Sequence, residues 1–286
     1  MQKGKIALII DSCTDVPKEY IEKYNMYVLP MTINYKDKSY LDGIDITADE
    51  VYENLKIEVP KTSLPSGEII KNTFEKIIDA GYEKIIAVTV SSGLSGTNNI
   101  VNIIAKDYQT VETYVVDSKN ISLGAGLIAI TAGELIEKNY SFEIIKEKLM
   151  QVAKNTKIFF CVETLEYLKR GGRIGLVTCA VGTLLELKPI ISCNEDGIYY
   201  NVTKCIGRKN SIKKTIEMAE KYAKSFNSCK IAIGNGHAYE EATNMAKKIK
   251  EELRNIKYLI ESSISPALGV HTGPGLIGVV VQEFIE

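Results

Sequence analysis

Ile85-Ile86-Ala87-Val88-Thr89-Val90-Ser91-Ser92-Gly93-Leu94-Ser95-Gly96-Thr97 begins as an unbroken apolar run and ends in a loop of small, hydroxyl-bearing residues. Residues 98–105 then carry apolar side chains at helical spacing. A run this apolar suits a strand covered on both faces, and strand, loop and helix in that order form half of a parallel βαβ unit. The order recurs upstream, where Ile6-Ala7-Leu8-Ile9-Ile10 leads through Asp11-Ser12-Cys13-Thr14-Asp15 to residues 17–24. It recurs downstream, where Thr113-Tyr114-Val115-Val116 leads through Asp117-Ser118 to a long helix ending near Lys138. The repetition predicts an α/β chain whose N-terminal part is a Rossmann-like parallel sheet with flanking helices.

Beyond Lys157 the pattern changes. Ile158-Phe159-Phe160-Cys161-Val162 is strand-like, and a helix over 164–169 stops at Gly171-Gly172. Residues 175–187 read as an apolar helix rich in small residues. Strands over 188–192 and 198–202 are joined through Glu195-Asp196-Gly197, an Asp-Gly hairpin signal. Helices over 211–226 and 240–255 enclose a strand at 230–233, and a last strand covers 278–284. This half is a mixed α/β domain. The boundary falls near Asn155, giving an N-terminal domain over 1–155 and a C-terminal domain over 156–286.

The chain has 286 residues, 45% hydrophobic and 25% charged, the balance of a globular protein with a substantial core. Its net charge of -1 leaves no global basic footprint, so nucleic acid is not an expected partner. Six cysteines without a Cys-x-x-Cys pair, and only two histidines, predict free thiols and no metal site. Met1-Gln2-Lys3-Gly4-Lys5 runs straight into a strand without a signal peptide, so a cytoplasmic location is expected. The apolar stretch at 175–187 is too short to span a bilayer. Thr47-Ala48-Asp49-Glu50 is a capping box. Asp42-Gly43-Ile44-Asp45 fails as a calcium loop, because Gly43 at the sixth position puts Lys38 first.

Four stretches carry candidate chemistry. In Ser91 to Thr97 four hydroxyls surround two glycines at the carboxyl edge of a parallel sheet, where ligands bind. The glycines permit a tight turn, and the following helix N-terminus offers N–H donors to an anion. Pro60-Lys61-Thr62-Ser63-Leu64-Pro65-Ser66 is a second hydroxyl cluster, which its prolines should keep out of regular structure. His271 lies among three glycines and two prolines in residues 264–275, implying a backbone packed close to something. Arg170 and Arg173 flank the Gly171-Gly172 turn. A basic stretch from Lys204 through Arg208, Lys209 and Lys213 to Lys214 could dock a phosphate-bearing partner or touch an anionic membrane surface transiently. Dinucleotide binding fails: Gly124-Ala125-Gly126-Leu127-Ile128-Ala129 lies inside a helix rather than at its start. Gly93-Leu94-Ser95-Gly96-Thr97 approaches a nucleophile elbow, with Thr97 replacing the second glycine. A serine hydrolase using Ser95 and His271 is therefore the alternative reading.

With Asp11 to Asp15, Pro60 to Pro65, Ser91 to Thr97, Val116-Asp117-Ser118, Leu165 to Arg173, Gly207-Arg208-Lys209 and His271 to Gly275 in this order, the chain resembles the DegV family over nearly its whole length. The resemblance implies a two-domain α/β fold holding a long-chain fatty acid such as palmitate, and no cofactor. It implies a non-enzymatic carrier that presents the acid to a separate fatty acid kinase, whose acyl phosphate feeds phospholipid synthesis. Carried over by position, Thr62, Ser63, Ser92 and Ser95 hold the carboxylate with His271 nearby, while Arg173, Arg208 and Lys209 serve the kinase contact. Cys13 stands where Thr is usual in the family and Leu64 where Gln is common. The chemistry agrees with this reading: a buried carboxylate demands charge-assisted hydrogen bonds. A tail of about 15 methylenes offers roughly 12 kcal/mol gross on burial. The small-residue helices at 123–135 and 175–187 are expected to leave room for it.

Overall fold

The computed structural model describes residues 5–177 and 187–285. Its first sheet is fully parallel, in the order Tyr27–Leu29, Ile6–Asp11, Lys84–Thr89, Glu112–Asp117. Alternation along the central strands splits their apolar residues between two faces. Ala7, Ile9, Ile85 and Ala87 meet Ile70, Phe74 and Ile77 of helix Gly67–Asp79, with Val101 and Ile104 of helix Thr97–Ala105. Leu8, Ile10, Ile86 and Val88 face helix Leu123–Glu137.

That helix is apolar around its whole circumference, which marks a helix buried on all sides. It lies between the two sheets, against strands of both. Its small residues do not leave room for a ligand. A Cβ on Gly126 would lie 2.4 Å from the Thr14 carbonyl oxygen, and one on Gly133 would lie 2.4 Å from the Tyr24 ring. These glycines admit close packing between helix and neighbours. The expected helix at 175–187 falls on residues 178–186, which lie outside the described residues, and Leu187 opens a strand.

The second sheet is mixed, as the sequence predicts, in the order Tyr199–Ile206, Leu187–Cys193, Thr156–Cys161, Leu276–Glu283, Cys229–Gly236, Ile256–Ser263. Only the last pair is parallel. Helices Arg208–Ala223 and Tyr239–Glu252 cover its outer face through Ile216, Ala219, Met245 and Ile249. Its inner face turns toward helix Leu123–Glu137 and the first domain. The Asp196-Gly197 hairpin forms, with Gly197 at φ +75°. The capping box at Thr47 forms as well. No helix among the described residues is long and apolar enough to cross a membrane.

A third, small antiparallel sheet joins Ser39–Leu41, Thr32–Asn34 and Lys61–Ser63. Lys61–Ser63 was expected outside regular structure. Pro60 and Pro65 flank the three-residue strand rather than interrupt it, so pairing with Thr32–Asn34 needs no N–H from either proline.

Candidate functional site

Between the domains lies a cavity of about 250 Å³ to which Thr62, Ser95, Arg173 and His271 come from four separate elements. The pairing of Lys61–Ser63 with Thr32–Asn34 sets Thr62 opposite buried Ile33. Thr62 Oγ1 lies 2.7 Å from His271 Nε2. His271 rides on the short helix Pro266–Thr272, capped by Ser265 with Pro266 in its first turn. Ser95 precedes helix Thr97–Ala105; its Oγ accepts from Thr97 N at 3.3 Å and lies 2.8 Å from Thr97 Oγ1. Ser63 sits at the exposed rim, where its Oγ accepts from Asn34 Nδ2 at 2.9 Å. Arg173 completes the polar lining.

Arg173 was expected on a docking surface. The structure instead brings it into the cavity, half-buried, with Nη1 donating to the Gly171 carbonyl at 2.7 Å. No carboxylate among the described residues forms an ion pair with it. The turn that carries Arg173 also shapes the histidine pocket, since a Cβ on Gly171 would lie 2.1 Å from His271 Nδ1. Gly171 thus supplies close approach, while Gly172 supplies the positive φ of the turn, +69°. His271 Nδ1 is buried and has no hydrogen-bond partner among the described residues. Burial, then the charge of Arg173, pushes the imidazole down to about 4, so it is neutral at neutral pH.

Three buried carboxyls stand behind the site, and two of them, Asp15 and Asp42, tie the domains together. Asp15 accepts from Ser122 Oγ at 2.5 Å and from Ser265 N at 2.8 Å. Asp42 accepts from Ser12 Oγ at 2.5 Å and from Ala267 N at 2.8 Å. Both therefore clamp the first turn of the helix that bears His271. Asp11 accepts from Cys13 N at 3.0 Å and Val90 N at 2.8 Å, fixing the strand ends beside the cavity. Burial pushes Asp11 up to about 7, Asp15 to about 8 and Asp42 to about 6. Burial raises the Cys13 thiol as well, so this cavity-lining cysteine is a poor nucleophile.

Other expectations are corrected. Ser92 does not line the cavity: it is exposed, accepts from Lys119 Nζ at 3.2 Å, and its backbone N–H donates to Asp117 at 3.1 Å. The glycines of Ser91 to Thr97 have no positive φ. A Cβ on Gly93 would lie 2.7 Å from the Asp196 carbonyl oxygen and one on Gly96 3.3 Å from Leu64, so both serve close packing. Ser91 Oγ bonds the Gly197 carbonyl at 2.9 Å and docks this loop onto the second domain. Arg208 is turned inward, with its guanidinium bonded to Glu241 and 3.8 Å from Glu163. Lys209 is exposed. Lys213 and Lys214 both pair with Glu217, which tempers the basic stretch. The geometry does not support the hydrolase reading: Ser95 bonds Thr97, His271 bonds Thr62, and among the described residues no acid orients His271 Nδ1.

Ile121, Tyr199, Leu268 and Thr272 are shared walls with a second, narrow cavity of about 20 Å³. Ile158, Phe160, Leu276 and Val280 of the second sheet wall it, facing Leu123 and Ile264. A chamber that carries polar groups on a largely apolar wall thus adjoins an apolar one, an arrangement suited to an amphipathic molecule with an anionic head.

The fold thus encloses adjoining cavities between two α/β domains. The chain belongs to the DegV family: the family described as "Uncharacterised protein, DegV family" matches residues 5–283. A DegV domain-containing protein of Clostridium acetobutylicum is 46% identical over 277 residues, covering 97% of this chain and 98% of that protein. A fatty-acid-binding DegV family protein from Thermus thermophilus superimposes with a TM-score of 0.92 at 25% identity, covering 98% of this chain and 100% of the other. A stearic-acid-binding protein from Eubacterium ventriosum superimposes with a TM-score of 0.88 at 29% identity, covering 97% and 98%.

Proposed function

We propose that this protein binds a long-chain fatty acid in the joined cavities and presents its carboxylate to a separate fatty acid kinase. The observation that carries the reading is the pairing of Arg173, which has no carboxylate partner among the described residues, and the Thr62–His271 bond with an apolar cavity walled by the second sheet. Arg173 supplies charge to the carboxylate, and hydrogen bonds to charged groups are worth about 1.5–3 kcal/mol. For Thr62 to donate to the carboxylate, neutral His271 must donate its Nε2–H to Thr62 Oγ1. Ser95 and Ser63 add hydroxyls on the same side. The tail then lies along Ile121, Tyr199 and Leu268 into the inner cavity. Thr62 and Ser95 act by position, and no group here is asked to make or break a bond.

The carboxylate end is also the accessible end, because Ser63 and Leu64 at its rim are exposed. A kinase would therefore meet the head rather than the tail. Exposed Lys209 remains available for that contact, in a protein we place in the cytoplasm as a carrier rather than a catalyst. We take 1–155 and 156–286 as the two domains that enclose the acid; the first sheet ends before Asn155 and the second begins after it.

Native mass spectrometry of the purified protein, followed by solvent extraction and lipid identification, tests the reading. A mass excess resolving into one or a few long-chain acids is the expected result. A protein that is empty and takes up no added palmitate or oleate overturns it. Adding a fatty acid kinase and ATP then tests presentation: acyl phosphate should form from the loaded protein.

A further inference from the structure

We infer that Gly234 sets the length of acyl chain this protein accepts; the inference rests on the fatty-acid reading above. Gly234 is buried in the interior of strand Cys229–Gly236, a place where glycine weakens a sheet and often marks the close approach of a ligand. It pairs with Gly278 on one side and Ser262 on the other, and both glycines border the inner cavity. The two positions differ in what a side chain would meet. A Cβ on Gly278 would lie 2.8 Å from the Phe160 Cβ, so glycine there is required by strand packing. Gly236, next on the same face as Gly234, is crowded too, since its Cβ would lie 2.7 Å from the Tyr52 hydroxyl and 3.2 Å from Ile264 Cδ1.

Gly234 has no such requirement. Its Cβ would meet Ser122 Oγ at 3.6 Å, Ile264 Cγ2 at 3.7 Å and Leu123 Cδ1 at 3.9 Å, all ordinary contacts. Those three residues are themselves walls of the inner cavity, so the missing side chain points into it. The backbone is not in the left-handed region, so alanine fits the conformation. The protein leaves unfilled a buried position that a methyl group would fill without a clash. Gly234 borders the inner cavity and not the outer one, which places this space along the tail and away from the carboxylate. A methyl there occupies volume that the chain would otherwise take.

The test is to load the unaltered protein, Gly234→Ala and Gly234→Leu with an equimolar mixture of saturated acids from about 12 to 20 carbons, then extract and quantify the bound acids. The preferred length should fall in the order unaltered, alanine, leucine. Each methylene that no longer fits should lower retention of the longer acid against the shorter about fourfold. The lipid-free Gly234→Ala protein should melt at or above the unaltered protein, whereas Gly278→Ala should melt below it. An unaltered protein that binds the acids while both Gly234 variants keep its length preference overturns this inference alone. A Gly234→Ala protein that does not fold overturns it too, because the space would then not exist. An unaltered protein that binds no acid overturns the fatty-acid reading and this inference together.

Discussion

The outer cavity draws Thr62, Ser95, Arg173 and His271 from four separate elements of two domains, whereas much of the inner cavity is walled by one face of a single sheet. Thr62, Ser95, Arg173 and His271 reach the outer cavity from a strand, a loop, a turn and a short helix. None of these elements is held in place by its own hydrogen bonds alone. Asp15 and Asp42 must clamp the first turn of the His271 helix, and Gly171 must let the Arg173 turn close on the imidazole. Ile158, Phe160, Leu276, Gly278 and Val280 need no clamps, because neighbouring strands already align them. A polar site depends on geometry fixed from a distance, so it is sensitive to hydrogen-bonding groups behind it. An apolar site depends on volume, so it is sensitive to side-chain size.

Four measurements test this contrast. Phe160→Ala should have the largest effect, lowering the stability of the lipid-free protein by about 3–5 kcal/mol in denaturant titration. Phe160 is buried and packs edge-on to Tyr199 at 5.3 Å between ring centroids. Its cost should fall on folding, with carboxylate recognition intact in whatever protein remains folded. Arg173→Ala should do the reverse, weakening fatty-acid affinity by about 1.5–3 kcal/mol, roughly 10- to 150-fold, while the melting temperature hardly moves. Equal loss of affinity in both variants would erase the distinction between the chambers.

The third measurement is pH dependence. Asp11 and Asp15 hold protons in the folded state up to about 7 and about 8, but ionise near 4 when unfolded. The folded state therefore binds more protons in this window, and stability falls as pH rises. His271 works in the opposite sense, because its proton is lost near 4 when folded and near 6.5 when unfolded, so its contribution is complete above about 6.5. Between pH 6.5 and 8 these carboxyls dominate over His271, and stability of the lipid-free protein should fall by about 2–3 kcal/mol. Asp15→Asn should flatten that slope. A stability that rises over this window would place the clamp in its ionised form. The smallest effect is expected from Ser92→Ala, which should leave retention of added palmitate within about twofold, because Ser92 faces the Asp117–Lys119 pair on the surface.

Much of the fold was legible. The three strand–loop–helix units of the first domain and the Asp-Gly hairpin of the second are local patterns, and each formed as read. Strands with weak local signatures were not read. Thr32–Asn34 and Ser39–Leu41 are three residues each, and Ile256–Ser263 is an edge strand with exposed polar residues. Such segments become strands only when a partner supplies the ladder. The candidate site was legible as a set of motifs whose assembly was not. Arg173 was singled out beside its Gly-Gly turn but assigned to the surface, since one-dimensional spacing does not say which way an arginine points. Asp15 and Asp42 stood in motifs without a role, because the groups they bond lie 250 and 225 residues away.

The sequence by itself determined the α/β class, the mixed character of the second half and the hydroxyl clusters suited to an anion. These follow from periodicity, turn residues and capping groups, which act over a few residues. Tertiary structure decided which glycines serve a turn, a close contact or an open space. It also decided that Thr62 meets His271 across 209 residues of chain and that Ser92 turns away. Those outcomes depend on where two separately folded layers touch, and the contact is set by the shape of both surfaces together rather than by either segment alone.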